Sequence, residues 1–335
     1  MHVLATADRY ASLPSELRSA FRRRLVLRQS SVDDYSAFGL RVGDDEIDLP
    51  PGRGYLDADE VQVAVVGGSP DGAHQLQALD ALTAERVAGG GAARRRAPRV
   101  PVLPDVVDAA ELPPPARVLE PVVGLVDELT STAYRLDLWD DHLLVAGPAR
   151  SGRSTTIMTI ANQLVHTAAD IGPAPHVVVG SPTGRGLVGL DPRVELLVGA
   201  DALADRLEQL SGALADYTAS SPLVVLVDDW HELHEVVTPP LDALLAVLVA
   251  AGKDRPVRVV VAVDNHVARR PYSSVLDTLR RGRHGLQLQP TSDDEITFDV
   301  VAPPAARRFP VGRALAVRRE GAPAVVQIAS SPARG

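Results

Sequence analysis

The chain has 335 residues, 45% of them hydrophobic, and no cysteine, so neither a disulfide framework nor a thiolate metal site is open to it. Its formal net charge of −9 and pI near 5.5 argue against a broad nucleic-acid-binding face. No apolar run reaches the length of a membrane span, and Met1 to Arg9 lacks the charged start and long apolar core of a secretory signal, so the composition reads as that of a soluble intracellular protein of about two domains.

Taken in chain order, the first residues are apolar: His2-Val3-Leu4-Ala5-Thr6-Ala7-Asp8 precedes a helix-like stretch and the short run Leu25-Val26-Leu27-Arg28. An Asp33-Asp34 turn, the glycine element Pro51-Gly52-Arg53-Gly54 and the run Val61-Gln62-Val63-Ala64 follow. His74 to Val87 has the spacing of one amphipathic helix. After it, Gly89-Gly90-Gly91 and prolines at 98, 101, 104, 113, 114 and 115 read as an extended, semi-rigid tether, which places a boundary near Arg117.

His142-Leu143-Leu144-Val145-Ala146 then reads as a buried strand. It runs into Gly147-Pro148-Ala149-Arg150-Ser151-Gly152-Arg153-Ser154-Thr155, a phosphate loop of the form G-x-x-x-x-G-K-[ST] with Arg153 where lysine belongs. Thr155 to Ala168 carries Ile157, Ile160, Ala161, Leu164 and Val165 at helical spacing. Strand, glycine loop and helix thus follow in the order a polyphosphate cradle needs. Gly147, Arg150, Ser151, Gly152, Arg153, Ser154 and Thr155 are the candidate ATP-binding residues, with Ser154 offering its hydroxyl to Mg²⁺. A guanidinium is longer, planar and forked where lysine brings a compact charge, so Arg153 is not a conservative replacement.

Pro222 to Val227 is an apolar strand ending in Asp228-Asp229, the Walker B pattern. Asp228 is the second candidate Mg²⁺ ligand; Asp229, with Arg153, is the candidate catalytic residue, placed to polarise the attacking water. The water-handling acid is usually glutamate, one methylene longer. His231-Glu232-Leu233-His234-Glu235 imitates a zinc-protease helix, but its histidines stand at i and i+3 rather than i and i+4, so it reads as a polar lead-in to the helix beyond Pro239-Pro240. Trp230 reads as a packing residue beside the pocket.

Val259 to Asp264, a helix-like stretch, Leu286-Gln287-Leu288-Gln289, Asp293-Asp294, Pro310-Val311-Gly312-Arg313-Ala314 and Val325-Val326-Gln327-Ile328-Ala329 repeat the order of elements met near the start, at similar spacings. Residues 1–68 therefore read as the final part of one module, 69–116 as a helix and linker, and 117–335 as one whole further module. Basic clusters at Arg22-Arg23-Arg24, Arg94-Arg95-Arg96 and Arg280-Arg281-Gly282-Arg283 read chiefly as solvated surface, with contact to nucleic acid or to a neighbour's nucleotide as the functional alternative. Lys253 is the only lysine in the chain.

The GPxRSGRST loop, the strand ending in Asp-Asp, the PGRG or PxGR element before a closing V-Q-[VI]-A strand and the tandem arrangement together resemble the FtsK/SpoIIIE superfamily of P-loop ATPases, in its actinobacterial multi-module form, which includes the type VII secretion ATPases called EccC. The resemblance implies a RecA-like parallel sheet flanked by helices, preceded by the C-terminal part of another such module. It places Val257 to Val263 between the two Walker strands and brings Asp264 and Asn265 near the γ-phosphate, unless they only start a turn. It implies ATP and Mg²⁺ as cofactors, adjacent modules or a ring of like subunits as partners, DNA or a secreted protein as cargo, and a cytoplasmic location. The substitutions at Arg153 and Asp229 point to weak hydrolysis, or to a docking and regulatory module. The P-loop that would match the first module is not in this sequence, which suggests a C-terminal fragment of a longer protein or a truncated reading frame; no DNA-reading winged helix follows Ala329, which shifts the expectation slightly towards protein secretion or an uncharacterised role.

Overall fold

The computed structural model describes residues 4–8, 10–43, 47–88, 102–126, 132–167, 171–236, 240–269, 273–290, 297–301, 303, 306 and 308–330. The Gly89-Gly90-Gly91 run, Arg94-Arg95-Arg96 and Asp293-Asp294 fall outside these residues, as do His2 and Val3. The chain divides into two units, Met1–Pro98 and Arg99–Gly335.

The smaller unit contains α1 (Ser15–Ala20), β1 (Leu25–Leu27), α2 (Val32–Ala37), β2 (Arg53–Leu56), β3 (Asp59–Gln62) and α3 (Gly72–Ala88). The three strands form an antiparallel sheet in the order β1-β2-β3. Val26, Tyr35, Leu40, Val42 and Leu49 form its core. Asp33-Asp34 is not a turn: Ser31 Oγ accepts the Asp34 amide at 3.2 Å and starts α2, where both acids favour the positive end of the helix. Leu4 to Asp8 forms no strand.

The larger unit contains β4 (Val122–Val126), β5 (Thr132–Arg135), β6 (Leu143–Ala146), α4 (Arg153–Val165), β7 (His176–Ser181), β8 (Glu195–Val198), α5 (Ala200–Gly212), β9 (Leu223–Val227), α6 (Trp230–Val236), α7 (Pro240–Ala251), β10 (Val257–Val263), α8 (Asn265–Arg269), α9 (Ser274–Gly282), β11 (Gly285–Leu288), β12 (Arg313–Val317) and β13 (Ala324–Ile328). They build a 10-stranded sheet in the order β5-β4-β13-β12-β11-β6-β10-β9-β7-β8. From β11 to β8 every pairing is parallel; β12, β13, β4 and β5 extend it antiparallel. This is the RecA-like arrangement, with β10 between the two strands that carry the candidate site. The whole of β6, β9 and β10 is buried because both faces are covered. Alternate residues divide between two cores: Leu143, Val145, Leu226, Val260 and Ala262 pack with α4, whereas Leu144, Val225, Val227, Val259 and Val261 pack with α5, α6 and α7.

The proline-rich tether does not stay apart as far as Arg117. The division falls at Pro98, and Leu103, Val107 and Leu112 are buried within the larger unit. Apolar residues between the prolines give that stretch something to bury, and Val107 and Leu112 cluster with Val122 and Ala329.

The junction of β4 with β13 leaves no room for a side chain at Gly124, where a Cβ would lie 1.9 Å from the Gln327 carbonyl oxygen. Gly124→Ala is expected to lower stability by about 2–3 kcal/mol through overpacking. Urea denaturation measures it, and an unchanged midpoint contradicts the close approach.

Candidate functional site

The site forms where β6, β9 and β10 end on one edge of the sheet. Gly147 leaves β6 with its amide donating to Val263 O at 3.2 Å, which ties the start of the loop to the end of β10. A Cβ at Gly147 would meet Ser151 Oγ at 2.4 Å and Leu288 Cβ at 2.8 Å, so the loop can turn here only on glycine. Arg150 (φ 64°) and Gly152 (φ 106°) both take left-handed conformations before α4 begins at Arg153. The Thr156 amide and hydroxyl both return to Gly152 O, each at 2.9 Å. A left-handed residue on each side of Ser151, followed by a helix N-terminus, is the backbone pattern of an anion-binding nest. Ser151 is fully buried and its hydroxyl has no partner among the described residues.

Arg153 does not reach outward. Its Nη2 donates to Asp229 Oδ1 at 2.6 Å and its Nη1 to Asp264 Oδ2 at 3.2 Å, while Nη1 also donates to the Gly147 carbonyl. The side chain is 10% exposed. One guanidinium therefore joins the loop to the ends of both β9 and β10. Asp229 sits at φ 46°, a left-handed conformation costing a residue with a side chain about 1–2 kcal/mol, and its carbonyl accepts the Glu232 amide at 2.9 Å as α6 begins.

Asp228 is 2% exposed, and its Oδ1 has no partner. Burial, and then the neighbouring Asp229 charge, push its pKa up to about 6, partly offset by a hydrogen bond from Ser154 and by the Arg153 charge. Ser154 and Asp228, the two candidate Mg²⁺ ligands, are thus hydrogen-bonded to each other. A turn over Ser154 was not expected from sequence: Gly186 approaches so closely that a Cβ there would lie 2.8 Å from Ser154 Oγ. The unpartnered, buried Ser151 Oγ, Arg153 Nε and Asp228 Oδ1 are polar atoms that a nucleotide and its metal could satisfy, so the residues fit ATP with Mg²⁺.

Asp264 and Asn265 separate. Asp264 faces Arg153 and also accepts the His266 amide at 2.9 Å, so it starts α8 as well as lining the site. Asn265 is 4% exposed and turned inward, accepting from the Gln287 side chain at 2.6 Å; Gln287 lies beside Ala146 in the register of β11 on β6. Trp230 is 1% exposed and packs in the α5–α7 core. His231 lies on α6, and the side chain of His234 falls outside the described residues. Arginines of two of the basic clusters have local partners: Arg24 donates to Phe21 O and Arg18 O, while Arg280 and Arg281 pair with Asp277; Arg94-Arg95-Arg96 lies outside the described residues. Gly312 is the main contributor that sequence reasoning did not attach to the site. Its amide donates to Ser151 O at 2.9 Å, and the repeated P-x-G-R element was the signal available.

No protein-family model matches the chain. The ESX-5 secretion system protein EccC5 of Mycobacterium tuberculosis strain H37Rv is 27% identical over 234 residues, covering 64% of this chain and 17% of that protein. EccC5 of Mycobacterium marinum is 28% identical over 221 residues, covering 59% of this chain and 15% of its own. In sequence and fold, this chain resembles the FtsK/SpoIIIE-type secretion ATPases. It spans about a sixth of the length of those relatives. Among solved structures, the cytoplasmic domain of Thermomonospora curvata EccC aligns with a TM-score of 0.66 at 20% identity, covering 97% of this chain and 39% of that one. ATPases 2 and 3 of Geobacillus thermodenitrificans EssC align with a TM-score of 0.62 at 16% identity over 97% of this chain and 64% of that one. These neighbours share the RecA-like fold of the larger unit.

The raised pKa of Asp228 gives a pH dependence of definite sign. Between the ordinary carboxylate value near 4 and about 6, the unfolded chain has lost this proton while the folded chain keeps it, so stability falls as pH rises through that window and levels off above it. Asp228→Asn removes the charge, so its advantage over the metal-free parent should grow by on the order of 2 kcal/mol from pH 4 to pH 7. Denaturant midpoints at several pH values measure this; a constant difference contradicts it.

Proposed function

We propose that the larger unit is the nucleotide-binding module of an FtsK/SpoIIIE-type translocase, that it holds ATP with Mg²⁺, and that it turns ATP over slowly. Ser154 and Asp228 would hold the metal, which supplies charge neutralisation at the phosphates. The loop from Gly147 to Thr155 would cradle them. The observation that carries the reading is the double ion pair of Arg153 to Asp229 and Asp264.

Phosphoryl transfer depends on positioned charge, and here two groups expected to handle the γ-phosphate and the water neutralise each other. To serve the γ-phosphate, Arg153 must leave two partly buried carboxylates behind. Separating such a pair costs about 3–5 kcal/mol. Asp229, held by a cation and a methylene shorter than glutamate, is also poorly placed as a base. The same arrangement favours a second reading, in which the site is charge-balanced without ligand and the module serves for docking and regulation only.

The smaller unit we read as the closing part of a second such module, residues 1–68, followed by a helix and linker at 69–116 and the ATPase module at 117–335. The shared hairpin of the two units supports this. We place the chain on the cytoplasmic side of a secretion apparatus, working beside neighbouring modules or like subunits. The cytoplasmic-domain neighbours support that location, and no described helix is long and apolar enough to cross a membrane. A protein cargo is favoured over DNA by the net charge of −9, and a Thermomonospora curvata EccC neighbour, with a TM-score of 0.66, is a complex with a signal sequence peptide.

The expected ATPase rate of the chain alone is at or below roughly 10⁻³ s⁻¹, against about 1–100 s⁻¹ for ordinary kinases. Isothermal titration with Mg·ATP should show binding, and the paired substitution Arg153→Lys with Asp229→Glu should raise turnover at least about tenfold by breaking the ion-pair lock. Fast turnover by the parent, lost in Asp228→Ala, would make this a working motor module. No heat at millimolar nucleotide would select the docking reading.

A further inference from the structure

The P-x-G-R turn is built twice in this protein, and the two copies differ at one informative place. In the smaller unit Gly52 has φ 81°, Arg53 N donates to Pro50 O at 3.0 Å, Val63 N to Gly52 O at 2.8 Å, Arg53 Nε to Gln62 Oε1 at 3.3 Å and Gln62 Nε2 to Pro51 O at 3.2 Å. In the larger unit Gly312 has φ 79°, Arg313 N donates to Pro310 O at 3.1 Å, Ile328 N to Gly312 O at 2.8 Å, Arg313 Nε to Gln327 Oε1 at 3.0 Å and Gln327 Nε2 to Val311 O at 3.0 Å. Bond for bond it is the same device.

The outer end of the arginine differs. Arg53 Nη1 lies 3.5 Å from the carboxylate of Glu60, two residues before Gln62 on β3. The matching place on β13, two before Gln327, holds Val325. Arg313 has no such carboxylate and turns its Nη2 to the chain ahead of the sheet, donating to Leu103 O at 3.1 Å, Pro104 O at 2.6 Å and Asp105 Oδ1 at 3.4 Å. The segment it grips continues along the end of β13, where Ser330 N donates to Val107 O at 2.9 Å and Ala109 N to Ser330 O at 3.0 Å. On its other side the same turn touches the phosphate loop: Gly312 N donates to Ser151 O, and a Cβ at Gly152 would lie 3.4 Å from the Gly312 Cα.

We propose that Arg313 couples the phosphate loop to the docking of residues 103–112, so that the state of the loop and the attachment of the linker to this unit are energetically linked. A movement at Ser151 and Gly152 displaces Gly312, and Arg313 carries that displacement to three acceptors on the segment. By reciprocity, release of the segment loosens the loop. The proposal rests on the nucleotide reading only for what moves the loop, since the linkage itself is a property of the chain.

Hydrogen exchange on the full 335-residue chain tests it, using Val325→Glu to recreate the Glu60 arrangement and draw Arg313 from the segment. Amides of 103–112 should exchange about tenfold faster, and those of 150–156 at least about threefold faster, with no nucleotide present. Arg313→Gln should reproduce the effect and serves if Val325→Glu fails to fold. Release of 103–112 with the loop unchanged, or no release at all, overturns the proposal. In the parent chain Mg·ATP should change exchange at 103–112; calorimetric binding without that change also overturns it. Absence of any heat would sink the nucleotide reading alone, because the ligand-free comparison still decides the coupling.

Discussion

One guanidinium holds the edge of the sheet together where chemistry would be done. Arg153 begins α4, Asp229 follows β9 and Asp264 follows β10, and the ion pairs among them join three segments that strand pairing and the Gly147–Val263 backbone bond also hold together. A lysine at 153 could satisfy one carboxylate well and a second poorly, because its charge is a single point. The forked, always-charged arginine satisfies both at once. Read in sequence, Arg153 and Asp229 look like two separate departures from a hydrolytic pattern. In space they are one pair, each the partner of the other.

These ion pairs sit within a loop whose backbone has the pattern of an anion-binding nest. The loop keeps its left-handed residues and its helix N-terminus, Ser154 stays with Asp228, and buried polar atoms point to a ligand. The energetic question is therefore a competition between an internal countercharge and an external anion. An ion pair with 10% exposure on its cation is desolvated already, so the anion must displace a strong interaction. Binding can still be favourable through the backbone nest, at the cost of loosening the Arg153 ion pairs or of leaving them in place.

Much of this is legible in the order of the amino acids. Continuous apolar runs flanked by glycine or acid mark β6, β9 and β10, since a strand covered on both faces needs no alternation, and the loop between β6 and α4 has the one spacing that suits its geometry. The repeat of Pro-Gly-Arg with a later Val-Gln is visible there as well. The partners of Arg153 are not, because Asp229 and Asp264 stand 76 and 111 residues away and only the strand order brings them together. Asn265 is ambiguous for the same reason: its partner Gln287 lies on β11, across β6 from β10. The attachment of 103–112 is hidden by the prolines in and around it, which argue for an extended tether but do not prevent burial of Leu103, Val107 and Leu112.

Arginine is nearly the whole basic complement of this chain, with Lys253 the single exception, and that bias alone could place arginine at 153. It does not account for the geometry. A guanidinium arriving by drift in an active loop would have to reach the phosphate; this one is held by the loop's own Gly147 carbonyl and two acids, one of which adopts a left-handed backbone conformation to meet it. A strained residue persists when its surroundings return the cost, and here the return is the partly buried ion pair. The arginine at 153 and the strain at Asp229 therefore belong to one arrangement, in which the charges at the end of the sheet are balanced within the chain itself.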